Sequence, residues 1–214
     1  MTQRALQRRT VAEDLADRLS GRILRGGLRP GTPLREERIA STYETTRTTV
    51  RDALRLLERD GLVTHETHRG ARVTVLEQAD LNDIIDLRLA IEPQVVRRVV
   101  EREADVSRLY VVTDLLESTA RAGDWPGYGA ADIRFHTELV GMAGSERLLD
   151  FFGTTLRLLK LAMLAGDQAA DAGPDLPAHV FEHRRLLELI DARRAGEAAR
   201  LMTRHLESAR RHVR

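Results

Sequence analysis

The sequence predicts a mainly α-helical chain in two parts: three helices closed by a short β-hairpin, then an all-helical antiparallel bundle. Three observations carry this reading. Apolar residues recur every three to four positions through most of the 214 residues. The only strand-like runs, LVTH and ARVTV, lie close together between residues 62 and 75. The charge also changes sign along the chain. Residues 1–78 hold 15 arginines against 11 acids, whereas residues 79–214 hold 19 basic residues against 22 acids. Domains are therefore expected at 1–78 and 79–214.

Composition narrows the class further. A chain that is 42% hydrophobic and 31% charged suits an ordinary soluble globular protein. The absence of cysteine excludes a disulfide framework and thiolate metal sites. The opening MTQRALQRRTVAEDLADRL is basic but is not followed by the apolar run of a secretory signal, and no stretch is long enough to span a membrane. A cytoplasmic location with no membrane partner is expected. A basic first part on an acidic second part suggests that only the first meets a polyanion.

In the first part, Val11, Leu15, Leu19 and Ile23 step by four, which predicts an amphipathic helix over about 10–25. GGLRPG breaks it. A short second helix is expected at about 35–42, with Leu34, Ile39 and Ala40 as its apolar contacts, before a tight break near YET. The third helix, TRTTVRDALRLLER at about 46–59, buries Val50, Ala53, Leu54 and Leu57. Asp60-Gly61 ends it, the glycine supplying a left-handed cap. LVTH and ARVTV pair around the tip ETHRG. Three helices and a hairpin in this order make a winged helix-turn-helix, with the second and third helices as reading unit and the hairpin as wing.

The third helix has the chemistry of a groove reader. Arg47, Arg51 and Arg55 lie at i, i+4 and i+8, opposite the leucines. Thr45, Thr46, Thr48 and Thr49 crowd its first turn, where small hydroxyls, backbone N–H groups and the helix dipole favour phosphate. Arginine can pair bidentately with a guanine edge. A solvated face with ion pairs such as Arg55 with Glu58 explains the arginine stripe taken alone. The threonines, the preceding short helix and the basic wing favour DNA.

The run LREERIASTYETTRTTVRDALRLLERDGLVTHETHRGARV resembles the DNA-binding domain of GntR-type transcription regulators. It parallels their Leu-x-Glu-x-x-Leu-Ala, Thr/Ser-Arg-Thr-x-Val-Arg-Glu-Ala-Leu and Glu-x-Gly-Leu-Val segments and the Arg-Gly wing. The resemblance implies DNA contacts from Thr46, Arg47, Thr48, Thr49 and Arg51, and from Arg69 and Gly70 at the wing tip with His68 beside them. The chain departs from the family at one place. Glu37 follows Glu36 where the family carries a DNA-contacting arginine, so Arg35 or Arg38 is expected to substitute.

Beyond residue 79 the periodicity is helical throughout. A long helix is expected at about 80–103, with Pro93 inside it as a kink. A second, at about 105–121, starts from Asp105 as N-cap. RAGDWPGYG reads as a linker into a helix at about 125–142, and Ser145 caps a helix at about 146–165. After the polar loop GDQAADAGPDLP, helices at about 176–193 and 196–212 divide near Gly196. This is an antiparallel bundle.

Asp132 and His136, four apart in AADIRFHTELV, face one side of a helix, and His183 and His205 fall one on each of the last two helices. Each alone is ordinary; together, facing helices can bring them to one point. Imidazoles and a carboxylate suit Zn²⁺, Ni²⁺ or Mn²⁺. This part resembles the helical FCD effector domain of FadR-like GntR regulators, whose signature is Asp-x-x-Phe-His followed by one histidine on each of the last two helices. The resemblance implies Asp132, His136, His183 and His205 as metal ligands. It also places Arg88 of DLRLAIEP facing the cavity, where metal and guanidinium together suit a small carboxylate. The bland alternative for Arg88 is a surface pair with Glu92.

Two other readings compete. HVFEH at 179–183 fits the H-x-x-E-H zinc-hydrolase pattern, with His179 and His183 as ligands and Glu182 as base. It leaves Asp132, His136 and the DNA-reading part without a role. Asp132 with three histidines also makes a closed set of four, as in a purely structural metal site. The reading adopted is not an enzyme but a homodimeric, ligand-responsive repressor. It reads a pseudo-palindromic double-stranded operator and binds a divalent metal and a small organic acid in its helical domain.

Overall fold

The computed structural model describes residues 9–66, 69–164 and 176–212. The chain divides into two compact units, with the boundary between Val75 and Leu76.

The first unit holds α1 (Val11–Leu24), α2 (Glu36–Thr42), α3 (Arg47–Arg59), β1 (Val63–Glu66) and β2 (Gly70–Val73). Thr10 starts α1 through a capping box: its hydroxyl accepts from the Glu13 N–H while the Glu13 carboxylate accepts from the Thr10 N–H. The four-step stripe Leu15, Leu19 and Ile23 is buried against Val50, Ala53, Leu54 and Leu57 of α3. Each such aliphatic side chain contributes about 1.5–3 kcal/mol on burial. Gly61, at φ +73°, turns the chain out of α3 in a conformation that favours glycine. β1 and β2 pair antiparallel with Val63 opposite Val73 and Glu66 opposite Gly70. The segment after GGLRPG is more than a break. Gly31 N–H donates to the Val73 carbonyl, Val73 N–H to Thr32 and Leu34 N–H to Ala71, so residues 31–34 run along the free edge of β2.

The second unit holds α4 (Gln78–Glu101), α5 (Ser107–Ala122), α6 (Trp125–Gly141), α7 (Glu146–Met163), α8 (Leu176–Asp191) and α9 (Ala195–His212). α4 runs through Pro93, which is buried. Long-range ion pairs show the antiparallel order. Arg184 of α8 binds Asp114 and Glu117 of α5 while Tyr110 reaches Asp191, and Arg210 of α9 pairs with Asp86 of α4. The core between helices is made by Val95, Val96, Val99, Leu109, Leu116, Phe135, Leu139, Phe152, Leu187 and Leu206.

Three local expectations are corrected. α5 begins at Ser107, with Val106 at the cap position; Asp105 instead accepts from the Ser107 N–H, an aspartate turn just ahead of the helix. The expected linker RAGDWPGYG is shorter, because Asp124 caps α6 through the Gly127 N–H and proline is tolerated in a first helical turn. Gly196 lies inside α9 rather than between helices; the turn is at residues 192–194, where Arg193 adopts φ +55°. The loop expected from GDQAADAGPDLP lies outside the described residues as far as 175.

Candidate metal centre and nucleic-acid surface

Four helices of the second unit aim polar side chains at one buried point. α4 supplies Arg88 and Glu92, α6 supplies Tyr128, Asp132 and His136, α8 supplies His179, Glu182 and His183, and α9 supplies His205. The i, i+4 spacings of 88/92, 128/132/136 and 179/183 stack each set on one helix face. Arg88, Glu92, Asp132, His136, His183 and His205 are all buried. The nearest donor atoms of Asp132, His179, His183 and His205 lie within 4.8 Å of one another. His136 lies beside this group rather than in it, its Nε2 being 3.8 Å from Asp132 Oδ1. Of the sequence-expected ligands, Asp132, His183 and His205 share this group and His136 stands at its edge, while His179, which the sequence marks only within the hydrolase motif, lies inside it.

Polar partners hold these rings in place. Arg88 donates to Glu92 Oε1 at 2.6 Å, and the other Glu92 oxygen takes His136 Nδ1. His183 Nδ1 donates to the His179 carbonyl at 2.9 Å, and His205 Nδ1 meets Glu182 Oε2 at 3.0 Å. Arg88 and Glu92 therefore do form the i, i+4 pair, but in the interior rather than on the surface. In the sequence Glu92 is marked only as a partner for Arg88. Its second role, bridging to α6, needs a contact 44 residues away and has no local signal.

What remains unsatisfied is informative. Asp132 Oδ1, His136 Nε2, His179 Nε2, His183 Nε2 and Arg88 Nη2 are buried without a hydrogen-bond partner among the described residues. Asp132 Oδ1 and His183 Nε2 are 3.2 Å apart, yet with the His183 proton on Nδ1 both present lone pairs. Two facing lone pairs in a buried site repel, and a cation between them would satisfy both. Burial works against the charge on Asp132, but His136 and His183, where they carry the extra proton, and Arg88 outweigh it and hold the carboxyl below its usual range. Burial, with Arg88, lowers His136; burial, with the neighbouring imidazoles, lowers His179 to about 3 and pushes His205 well below its ordinary value. An ionised carboxylate with neutral imidazoles is the protonation state that binds metal.

In the first unit, Thr46 caps α3, accepting from the Thr49 N–H at 3.1 Å and bonding the Thr49 hydroxyl at 2.9 Å. Arg35, Arg38, Arg47, Thr48, Arg51, Arg69 and Gly70 are exposed. Arg55 pairs with Asp52 rather than Glu58. Arg51 Nε reaches both Glu36 oxygens, at 2.8 and 3.0 Å, and Arg47 binds Glu37 at 3.0 Å. The two acids of α2 thus hold Arg47 and Arg51 of α3. Gly70 opens β2 at φ +76°, which favours glycine at the wing tip, beside Arg69 on Glu66. His68 lies outside the described residues.

The chain is similar to known regulators along its whole length. Residues 11–73 match the family described as bacterial regulatory proteins, gntR family, and residues 83–208 match the FCD domain. The protein named "Probable D-xylose utilization operon transcriptional repressor" of Paenarthrobacter nicotinovorans is 28% identical, over 96% of this chain and 89% of its own. The Nta operon transcriptional regulator of Aminobacter aminovorans is 26% identical over 84% of this chain and 83% of its own. A GntR regulator structure from Rhodococcus sp. RHA1 superposes with a TM-score of 0.84 at 27% identity, covering 94% of this chain and 96% of that one. These relatives are transcriptional regulators rather than enzymes, which sets aside the hydrolase reading of HVFEH. The chain belongs to the GntR family of bacterial transcription regulators, in the group that carries an FCD domain.

Proposed function

We propose that this regulator is a homodimeric, effector-responsive repressor whose helical unit holds a divalent metal ion and a small organic acid. The observation that carries the reading is the convergence of unpartnered buried atoms at Asp132, His136 and His183 beside an unpartnered Arg88 Nη2. Buried polar atoms are satisfied in folded proteins, so a cluster of orphans at one point implies a missing partner. Asp132, His136, His183 and His205 would hold the ion. Zn²⁺, Ni²⁺ or Mn²⁺ fits this donor set, and when bound it supplies positive charge for a carboxylate oxygen. Arg88 would bind the remaining carboxylate charge.

On the DNA side, Arg47, Thr48 and Arg51, with Arg35 or Arg38, supply the surface for a pseudo-palindromic double-stranded operator, and Arg69 and Gly70 the wing. Thr46 and Thr49 shape the helix start that approaches phosphate. Two-fold symmetry of a homodimer would set the half-site spacing. Effector binding would change operator affinity by favouring one arrangement of the DNA-reading units.

The test is elemental analysis of purified protein, followed by thermal unfolding with added carboxylates. His205→Ala should lower metal content, and Arg88→Ala should keep metal but lose carboxylate-induced stabilisation. Equal metal in His205→Ala refutes the ligand set. Metal-loaded protein whose stability and operator affinity ignore carboxylates would make the ion purely structural.

A further inference from the structure

The four histidines of the cluster are not alike. Nδ1 of His136 faces the Glu92 carboxylate, Nδ1 of His183 faces the His179 carbonyl, and Nδ1 of His205 faces the Glu182 carboxylate. Each of these partners only accepts hydrogen bonds. Nδ1 therefore carries the proton in all three rings, and Nε2 keeps its lone pair for a metal. His179 breaks the pattern. Its Nδ1 lies 3.2 Å from the Tyr128 hydroxyl, which can donate.

That hydroxyl belongs to a buried residue and has His179 as its only hydrogen-bond partner among the described residues. Burial, reinforced by Asp132 and Glu182, keeps it protonated. A phenol is a stronger donor than a neutral imidazole N–H, and an imidazole nitrogen is a stronger acceptor than a phenol oxygen. The hydroxyl proton therefore goes to His179 Nδ1, and the His179 proton sits on Nε2. His179 Nε2 is buried and unpartnered, as Arg88 Nη2 is. The ring stacks on His205 with centroids 3.9 Å apart, and its nearest ring nitrogen lies within 4.8 Å of the Asp132, His183 and His205 donor atoms. Two orphaned buried donors next to a cation site make a place for an anion.

We propose that His179 is an effector-recognition residue and not a metal ligand. Its Nε2–H donates, alongside the Arg88 guanidinium, to the carboxylate of the acid bound here, and Tyr128 is the positioning residue that sets the tautomer. The proposal rests on the metal-and-carboxylate reading above and adds a residue to it.

The experiment compares full-length wild type, His179→Ala, His179→Gln and His205→Ala, each loaded with Zn²⁺. Zinc content is measured after dialysis, and thermal stability during titration with acetate and with succinate. Glutamine retains an N–H near the position of Nε2 but is a poor zinc ligand. The expected result is full zinc in both His179 variants, a response to the acids that needs at least about ten-fold more ligand in His179→Ala, and a response largely restored in His179→Gln. Loss of zinc from both His179 variants overturns the proposal by making His179 a ligand. Full zinc with an undiminished response in His179→Ala overturns it by removing the effector role. Failure of the underlying reading looks different: His205→Ala keeps its zinc, or the wild type ignores both acids, and either result takes this proposal down with it.

Discussion

Replacing Glu92 with alanine tests the buried network most directly. Glu92 is fully buried, and its two oxygens are divided between Arg88, at 2.6 Å, and His136 Nδ1. Removing it leaves a guanidinium whose side chain is 3% exposed without its counter-ion. Breaking one partner of a buried ion pair costs roughly 3–5 kcal/mol. It also releases the His136 tautomer, and loss of such a supporting group costs about 10–100-fold in metal affinity, or roughly 1.4–2.7 kcal/mol. The metal-free protein should therefore lose about 3–5 kcal/mol, and the zinc-loaded protein should lose more, so the stabilisation gained from zinc shrinks. Urea unfolding read by Trp125 fluorescence suits the assay, because the only tryptophan lies in the helical unit. Zinc affinity is read by chelator competition. Should Glu92→Ala fail to fold, Glu92→Gln keeps the volume and one acceptor and should show a smaller loss in both readouts. The double variant Arg88→Met, Glu92→Leu should be more stable than Glu92→Ala, because no orphaned charge remains. A cost under about 1 kcal/mol with zinc affinity unchanged would refute the network.

Arg51→Ala should weaken operator binding and flatten the dependence of log affinity on log salt by about one unit, whereas Glu36→Gln, which frees Arg51, should tighten binding at the same salt. Fluorescence anisotropy over a salt series checks both, and an unchanged slope in Arg51→Ala refutes a phosphate role. The metal-free protein should lose stability as pH falls from about 6.5 to 5. Over that range the unfolded chain takes up protons on His136, His179 and His205, which the folded state holds low, chiefly by burial. Each contributes up to about 1.4 kcal/mol per pH unit. Asp132 and Glu92, also held low when folded, titrate in the unfolded chain mostly below this range and add only a small contribution of the same sign near its lower end. A flat urea midpoint between pH 6.5 and 5 would contradict this.

The amino-acid sequence by itself determined the local elements. The four-step stripe 11–23, the α3 stripe 50–57 and the paired runs around residues 63–73 each need only nearest neighbours on one face, so periodicity revealed them. It also placed Asp132 and His136 on one helix face, one turn apart. Boundaries set by single turns were less legible. Asp105 resembles an N-cap in one dimension, and whether an aspartate caps or turns depends on the backbone angles of the next two residues. Tertiary structure alone decided who partners whom. Arg88 and Glu92 have the spacing of a surface pair, and only the packing of α4 against α6 and α9 makes them a buried bridge to His136. The pairing of Glu36 with Arg51 depends on how α2 crosses α3. His179 differs from the other histidines only because α6 brings the Tyr128 hydroxyl to it from 51 residues away. Helical periodicity specifies which face a side chain is on; the chemistry of that side chain is set by what the facing helix presents, and that is fixed by long-range packing.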